Sequence, residues 1–185
     1  MTEFACTPGQ TVGPFFGLGL TGGGDLVGAA HPQAVGLHGT VYDGAGHGVP
    51  DALVELWQPD GAGRIPRLAG SLRRDGPAFT GWGRSVTDAA GRYGFTTVAP
   101  GSAGGGRPPF FAITVFARGL LHRLFTRAYL PGGDLEADPL LSTVDAARRS
   151  SLLCVAETGS VAYRFDIRLQ GPNETVFLEY RDGGR

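Results

Sequence analysis

Glycine and proline punctuate this sequence so densely that they constrain its fold more than any other feature. The chain has 185 residues, of which 32 are glycine and 13 are proline. They separate short apolar runs, a spacing that indicates many tight turns and is typical of an all-β sandwich or barrel. Since 42% of the residues are hydrophobic and 10% are aromatic, most of the chain is able to pack into a core. The sequence therefore predicts one all-β domain.

The charged residues exclude several classes of function. Because 16 basic residues face 17 acidic ones, we expect no electrostatic attraction to nucleic acid or to an anionic membrane. Every basic residue is arginine, which excludes Schiff-base and P-loop lysine chemistry. No apolar run approaches the length of a membrane span, and the amino terminus lacks the pattern of a signal peptide. These features predict a soluble, cytoplasmic protein.

The chain divides into an extended amino-terminal arm, residues 1–34, and a β-patterned body, residues 35–185. Prolines and glycines in the arm exclude a helix there, whereas its phenylalanines supply surface for burial against a partner chain. The body predicts a two-sheet β-sandwich core with long loops. One short helix is predicted over 142–155, with Ser142 or Thr143 as its N-cap. Strands are predicted over 35–42, 52–58, two parts of 82–98, 110–118, 121–130, 161–169 and 175–180.

The residues by themselves show no self-sufficient catalytic set. No two histidines have the spacing of a metal-binding pair, although His38 and His47 flank one strand and turn and could meet. The four histidines are His31, His38, His47 and His122. Neither a Gly-x-Ser-x-Gly elbow nor a nucleotide-binding glycine motif is present. Cys6 and Cys154 form no disulfide framework or zinc motif, and Cys154 is predicted to be a packing residue.

Three charged residues have positions that allow an individual interpretation. Asp88 falls in a turn and is expected to bond to its own loop. Asp166 lies between Arg164 and Arg168 on a predicted strand, where either a solvated, paired surface or a buried ion pair at an interface would fit. Arg118 ends the most apolar strand. Its guanidinium could bind a carboxylate through two hydrogen bonds or could cap the strand end in solvent.

Several segments together resemble the intradiol ring-cleaving dioxygenase family. Residues 7–15 (TPGQTVGPF) resemble the amino-terminal arm of that family. Residues 39–44, 49–60 and 83–101 resemble its core strands and the hairpin that follows them. Residues 162–171 (AYRFDIRLQG) resemble its closing strand. The resemblance covers nearly the whole chain and implies the family's β-sandwich fold.

The sequence departs from the family at the positions that hold iron. Family enzymes bind Fe(III) with two tyrosines and two histidines. Here Ile65 stands at the first tyrosine position, and the loop after Pro100-Gly101 contains no tyrosine. Phe110 and Ala112 replace the two histidines of the family's His-x-His strand. Because none of these side chains can ligate Fe(III), the resemblance implies no metal ligand and no catalytic residue in this chain.

Residues 113–119 (ITVFARG) resemble the iron-free alpha chains of family members that are built from two homologous chains. In those members the beta chain holds Fe(III), so the resemblance implies a beta-chain partner. It also implies a shared site for protocatechuate and O2, at which the assembled enzyme forms 3-carboxy-cis,cis-muconate in the beta-ketoadipate pathway of aromatic catabolism. The isolated chain is then expected to be inactive. The residues implied to border the substrate pocket are Thr11, Gly13, Pro14, Phe15 and Arg118.

Two other interpretations stay open. Residues 49–57 and 87–93 also resemble transthyretin-like and carboxypeptidase-regulatory domains, which would make the chain a non-catalytic β-sandwich binding module. That interpretation explains neither the arm nor the closing strand. A homomeric dioxygenase with unusual ligands is the other alternative, and the absence of a His-x-His motif argues against it.

Overall fold

The computed structural model describes residues 9–13, 15–20, 23–67 and 78–180, and within them the strands form two sheets. In the first sheet the order is β4-β1-β8-β7, and β9 also pairs with β1. In the second sheet the order is β3-β2-β5-β6. The strands are β1 (Ala34–Tyr42), β2 (Leu53–Trp57), β3 (Trp82–Val86), β4 (Arg92–Val98), β5 (Phe110–Phe116), β6 (Leu124–Tyr129), β7 (Val155–Ala156), β8 (Ala162–Arg164) and β9 (Ile167–Arg168).

The core lies between the two sheets and is built from alternate residues of their strands. Burial alternates along all of β1, whose inward side chains include Leu37 and Val41. The second sheet contributes Leu56 from β2 and Phe111 and Ile113 from β5. Side chains alternate between the two faces of a strand, so each strand has one face in the core. The predicted all-β, two-sheet sandwich is confirmed.

The hydrogen-bond pattern changes at the point where β1 stops pairing with β8 and begins to pair with β9. In a regular parallel ladder the N–H of Thr40 would donate to the carbonyl of Phe165, which lies opposite Gly39. Instead, the Tyr93 hydroxyl donates to that carbonyl, and the Thr40 N–H donates to Asp166 Oδ1 at 3.1 Å. A Cβ on Gly39 would collide with the Phe165 carbonyl oxygen. Only glycine therefore fits at position 39, where the chain between β8 and β9 lies against β1.

The helix predicted over 142–155 is wrong in its extent. The chain forms two short helices there, α2 (Pro139–Thr143) and α3 (Ala146–Arg149), and then a 3₁₀ turn (Ser150–Leu152). Val144 separates the helices because its backbone is extended (ψ 134°). Cys154 follows the last turn and lies outside any helix.

The N-caps of these helices also differ from the prediction. Ser142 and Thr143 lie inside α2, and their hydroxyls donate to carbonyls three residues earlier. Asp138 caps α2 by accepting from the N–H of Leu140, and Asp145 caps α3 in the same way. A carboxylate accepts these orphan N–H groups more strongly than a hydroxyl does, because the acceptor is charged.

Two strands predicted near the carboxyl terminus differ from the observed structure. The segment predicted as one strand over 161–169 is divided into β8 and β9, because Phe165 and Asp166 make hydrogen bonds with Tyr93 and β1. Residues 175–180 form no named strand and pair with β6 only through a bridge between Leu178 and Phe125. None of the helices in the described ranges has the length and hydropathy to cross a bilayer.

The described part of the arm lies on both of this chain's own sheets. It contains a single helical turn, α1 (Phe16–Gly19), where the prolines and glycines predicted no helix. The ring of Phe16 packs against Phe116 at 5.6 Å, and a Cβ on Gly17 would lie 3.0 Å from Val86. Further along, Asp25 bridges to β4. The contact of the arm with a partner chain stays a prediction.

We expect Gly39→Ala to lower the free energy of unfolding by about 2–3 kcal/mol, because the added methyl overpacks the junction. Gly94→Ala, on the adjacent strand β4, is the matched control because the nearest side-chain atom to its Cβ lies 4.0 Å away. Urea unfolding of the full chain measures both values. Equal stability of the two variants would contradict this account of the junction.

Candidate functional site

The positions that correspond to the family's histidines lie on the outer face of the second sheet. The strand register places one row of side chains across this face, in the order Trp82, Trp57, Ala112 and Arg127. Trp57 is half exposed, whereas Trp82 is buried. Ala112 thus stands between an indole and a guanidinium, and its methyl group offers no lone pair to a metal.

Phe110 is enclosed at the position of the other histidine. Its ring lies 5.3 Å from that of Tyr129, and the Arg127 guanidinium covers it at 4.3 Å. The Tyr129 hydroxyl donates to the buried carboxylate of Asp138 at 2.8 Å, and Arg127 donates to the same oxygen at 3.3 Å. Burial raises the pKa of Tyr129 to about 12, so this phenol stays protonated at neutral pH. A fixed cation and a neutral phenol do not fit Fe(III) at this place.

The two loops that carry tyrosine ligands in the family lie against each other in this chain. The N–H of Gly101 donates to the carbonyl of Asp60 at 2.9 Å, and a Cβ on Gly63 would collide with the Ser102 carbonyl oxygen. Ile65 is 64% exposed at the end of the first loop. The two loops therefore lie together at one edge of the fold, with an exposed aliphatic side chain at Ile65.

The other potential metal ligands have different partners. His38 pairs with Glu157 at 3.1 Å and His47 pairs with Asp43 at 3.7 Å, so each imidazole has its own carboxylate. Cys154 is buried, and burial raises the pKa of its thiol to about 12, as expected for a packing residue. In the described ranges, no three side chains of histidine, cysteine, aspartate or glutamate are grouped to hold a metal ion.

Arg118 lies in the tight turn that ends β5. The N–H of Leu120 donates to the carbonyl of Ala117 at 3.2 Å, and Gly119 takes a φ of +88°, which favours glycine. The turn places the Arg118 side chain at the surface, where it is half exposed. Arg118 Nη2 donates to Asp51 Oδ2 at 3.3 Å. The guanidinium is thus ion-paired and also accessible to solvent.

The arm is attached directly beside Arg118. The N–H of Gly119 donates to the Thr11 hydroxyl oxygen at 2.7 Å. Two residues later, a Cβ on Gly13 would meet nothing within 4 Å, so no close approach among the described residues requires that glycine. Phe15 is 75% exposed, and Pro14 lies outside the described residues. Thr11 and Arg118 are therefore brought together, while the ring of Phe15 faces solvent.

A cleft of about 400 Å³ adjoins Arg118. Pro50 and Leu169 are among the residues that line it. Asp43, at one side, accepts the backbone N–H of His47, a hydrogen bond that lowers the pKa of its carboxyl. The cleft thus brings one guanidinium and one ionised carboxylate together with the apolar side chains of Pro50 and Leu169.

The remaining charged residues that the sequence singled out have local partners. Asp88 accepts the N–H of Arg92 at 2.9 Å, which confirms the predicted bond to its own loop. Asp166 Oδ2 pairs with Arg164 at 2.9 Å at the surface, which agrees with the interpretation of this strand face as a solvated, paired surface. Cys6 lies outside the described residues.

Asp51 is the residue of this region that the sequence analysis missed. Its identity as the partner of Arg118 depends on the pairing of β2 with β5, in which Leu53 lies opposite Phe116. No local signal in the sequence marks this pair, because the two residues meet only through the pairing of the two strands.

The chain matches known dioxygenase subunits over nearly its entire length. A family model described as "Dioxygenase" matches residues 25–106. The alpha chain of protocatechuate 3,4-dioxygenase from Burkholderia cepacia is 42% identical, over 97% of this chain and 100% of that protein. The beta chain from the same organism is 38% identical, over 77% of this chain and 67% of that protein.

A solved structure agrees with this assignment at the level of the fold. The dioxygenase domain of a dioxygenase carbohydrate-binding protein fusion from Streptomyces sp. SirexAA-E superposes with a TM-score of 0.61 at 24% identity. The match covers 80% of this chain and 86% of that one. The two-sheet sandwich is therefore the fold of ring-cleaving dioxygenases.

We expect Thr11→Val to loosen the arm, because the variant removes the acceptor of the Gly119 N–H. One hydrogen bond contributes about 1 kcal/mol, so chymotrypsin should cleave at Phe15 and Phe16 about fivefold faster. Thr11→Ser keeps the hydroxyl and should behave like the parent chain. If Thr11→Val and Thr11→Ser were cleaved at equal rates, this bond would not hold the arm.

Proposed function

The chain belongs to the protocatechuate 3,4-dioxygenase alpha-chain family, and from that premise we propose that it is the iron-free subunit of a two-chain enzyme. In this proposal a homologous beta chain holds Fe(III), and the two chains together form the site at which protocatechuate and O2 react. The product is 3-carboxy-cis,cis-muconate, an intermediate of the beta-ketoadipate pathway, and the enzyme is cytoplasmic.

The groups at the positions that the resemblance matches to iron ligands support this proposal most directly. Phe110 lies beneath the guanidinium of Arg127, and Ala112 and Ile65 offer no donor atom. A chain that performed the chemistry alone would need to bind a trivalent cation beside a fixed positive charge, which is electrostatically unfavourable. Iron bound by the beta chain supplies the oxidation chemistry without this charge repulsion. The proposed role of the alpha chain is therefore to bind substrate and to assemble with the beta chain.

We assign the substrate-binding part of that role to Arg118 and the arm. Protocatechuate carries a carboxylate in addition to its two phenolic oxygens, and arginine binds carboxylates while keeping its charge at every relevant pH. Arg118 is accessible, and the Thr11 hydroxyl holds the arm next to it. Gly13, Pro14 and Phe15 then form the wall of the partner's pocket.

Exposed apolar side chains support assembly with a partner. Val155 and Val161 are 52% and 71% exposed near the short edge strand β7, and Phe15 and Trp57 are exposed near the second sheet. In the proposed assembly the beta chain covers these side chains. A binding module without catalytic partners would not account for full-length similarity to a dioxygenase subunit.

Oxygen uptake with protocatechuate tests the proposed division of labour. We expect no uptake by this chain alone, and uptake once it is co-expressed with the homologous beta chain and co-elutes with it. Ring cleavage by the purified chain alone would contradict the proposal, and so would full activity of the beta chain without it.

We expect Arg118→Ala to raise KM for protocatechuate about tenfold in the assembled enzyme and to change kcat less than twofold, because the lost contact is present in the ground state and the transition state alike. Arg123→Ala is the matched control, since Arg123 is exposed nearby and stacks on Phe125. Steady-state kinetics measures both variants. Unchanged KM in Arg118→Ala would remove Arg118 from the site.

A further inference from the structure

The pairing of β2 with β5 brings the turn that carries Asp51 beside the turn that carries Arg118. The last pair of this ladder is Leu53 with Phe116, and Asp51 and Arg118 each lie two residues beyond it. Their side chains meet there in an ion pair, in which Arg118 Nη2 lies 3.3 Å from Asp51 Oδ2.

The turn that carries Asp51 is fixed by a buried threonine. The Thr87 hydroxyl donates to the carbonyl of Val49 at 2.7 Å and accepts from the N–H of Ala52 at 2.9 Å. The backbone N–H of Thr87 also donates to the carbonyl of Ala52 at 2.9 Å. Residues on both sides of Asp51 are therefore tied to the same side chain, and Asp51 has little freedom to move away from Arg118.

Asp51 has an unusual backbone conformation. Its φ is +62°, the only positive value among the non-glycine residues that the structure describes. Aspartate and asparagine adopt this left-handed conformation more readily than other non-glycine side chains, although it is strained even for them. Glycine would fit the backbone better but would leave Arg118 without its partner.

The ion pair has a geometry that suits orientation better than stabilisation. Both side chains are about half exposed, 50% for Arg118 and 44% for Asp51, and exposed pairs of this kind contribute little to folding stability. Only one N–H of the guanidinium donates to Asp51, so other donors stay available to a second carboxylate. Arg118 can thus bind a ligand carboxylate through these other donors while its Nη2 donates to Asp51.

We propose that Asp51 is a positioning residue for Arg118, which it orients toward the carboxylate of the substrate. This inference rests on the proposed function. It assigns to Asp51 a share in the preference for carboxylated over uncharged catechols, although Asp51 itself does not contact the substrate.

Three substitutions at Asp51 distinguish the effect of losing its side chain from the effect of straining its backbone. All three variants are measured in the enzyme co-expressed with the beta chain. Asp51→Gly suits the positive φ and removes the contact, so KM and the anaerobic Kd for protocatechuate should both rise about threefold, with kcat within twofold of the parent. Asp51→Asn keeps an acceptor oxygen and tolerates the backbone, so it should restore most of the affinity. Asp51→Ala should lower Tm, because alanine is strained at this φ.

A double-mutant cycle gives a result that a purely structural role would not produce. In the Arg118→Ala background, Asp51→Gly should leave KM and Kd unchanged, because its effect acts through the missing guanidinium. An equal increase in both backgrounds would overturn the positioning role. A lower KM in Asp51→Gly would also overturn it, since Asp51 would then compete with substrate for Arg118.

The same kinetic measurements show whether a failure concerns Asp51 alone or also the proposed role of Arg118 in substrate binding. If Arg118→Ala leaves KM unchanged, the proposed role of Arg118 fails. If Arg118→Ala raises KM and Asp51→Gly does not, only the role of Asp51 is wrong.

Discussion

The antiparallel pairing of β2 with β5 is the interaction on which the other features of this chain depend. Inward, it aligns Leu56 with Ile113 and so builds the centre of the core. Outward, it places Trp57 beside Ala112, at the position of a family iron ligand. Beyond the end of the ladder, the same register brings the Asp51 turn to Arg118. The centre of the core, the outer face around Ala112 and the Asp51–Arg118 ion pair thus all depend on one strand pairing.

The chain keeps the dioxygenase fold although other groups stand at the positions that the resemblance matches to iron ligands. Ala112 lies on the outer face of β5, opposite the core between the sheets, whereas Phe110 packs against a second apolar cluster that contains Tyr129 and Leu141. At Phe110, an aromatic ring, the Arg127 guanidinium and the Tyr129–Asp138 hydrogen bond occupy the space. Each buried polar group in that cluster has a partner, which makes the replacement compatible with stability.

The sequence predicted the fold class and the course of β1 and β5, because alternation of apolar and polar residues and specific motifs are local signals. It did not predict where the helical region breaks, since the break at Val144 depends on caps supplied by Asp138 and Asp145. It also missed Asp51, because a cross-strand partner is determined by sheet pairing that no local pattern encodes. The division of the closing strand at Phe165 likewise depends on the hydroxyl of Tyr93, far away in the sequence.

Iron content together with visible absorbance tests the central claim most directly. The account predicts that this chain purified alone is colourless and iron-free, whereas the co-expressed pair contains about one iron per alpha–beta unit and shows a tyrosinate-to-Fe(III) charge-transfer band. Stoichiometric iron and colour in the chain alone would mean that it holds the metal with a different ligand set, and would contradict the assignment of an iron-free subunit.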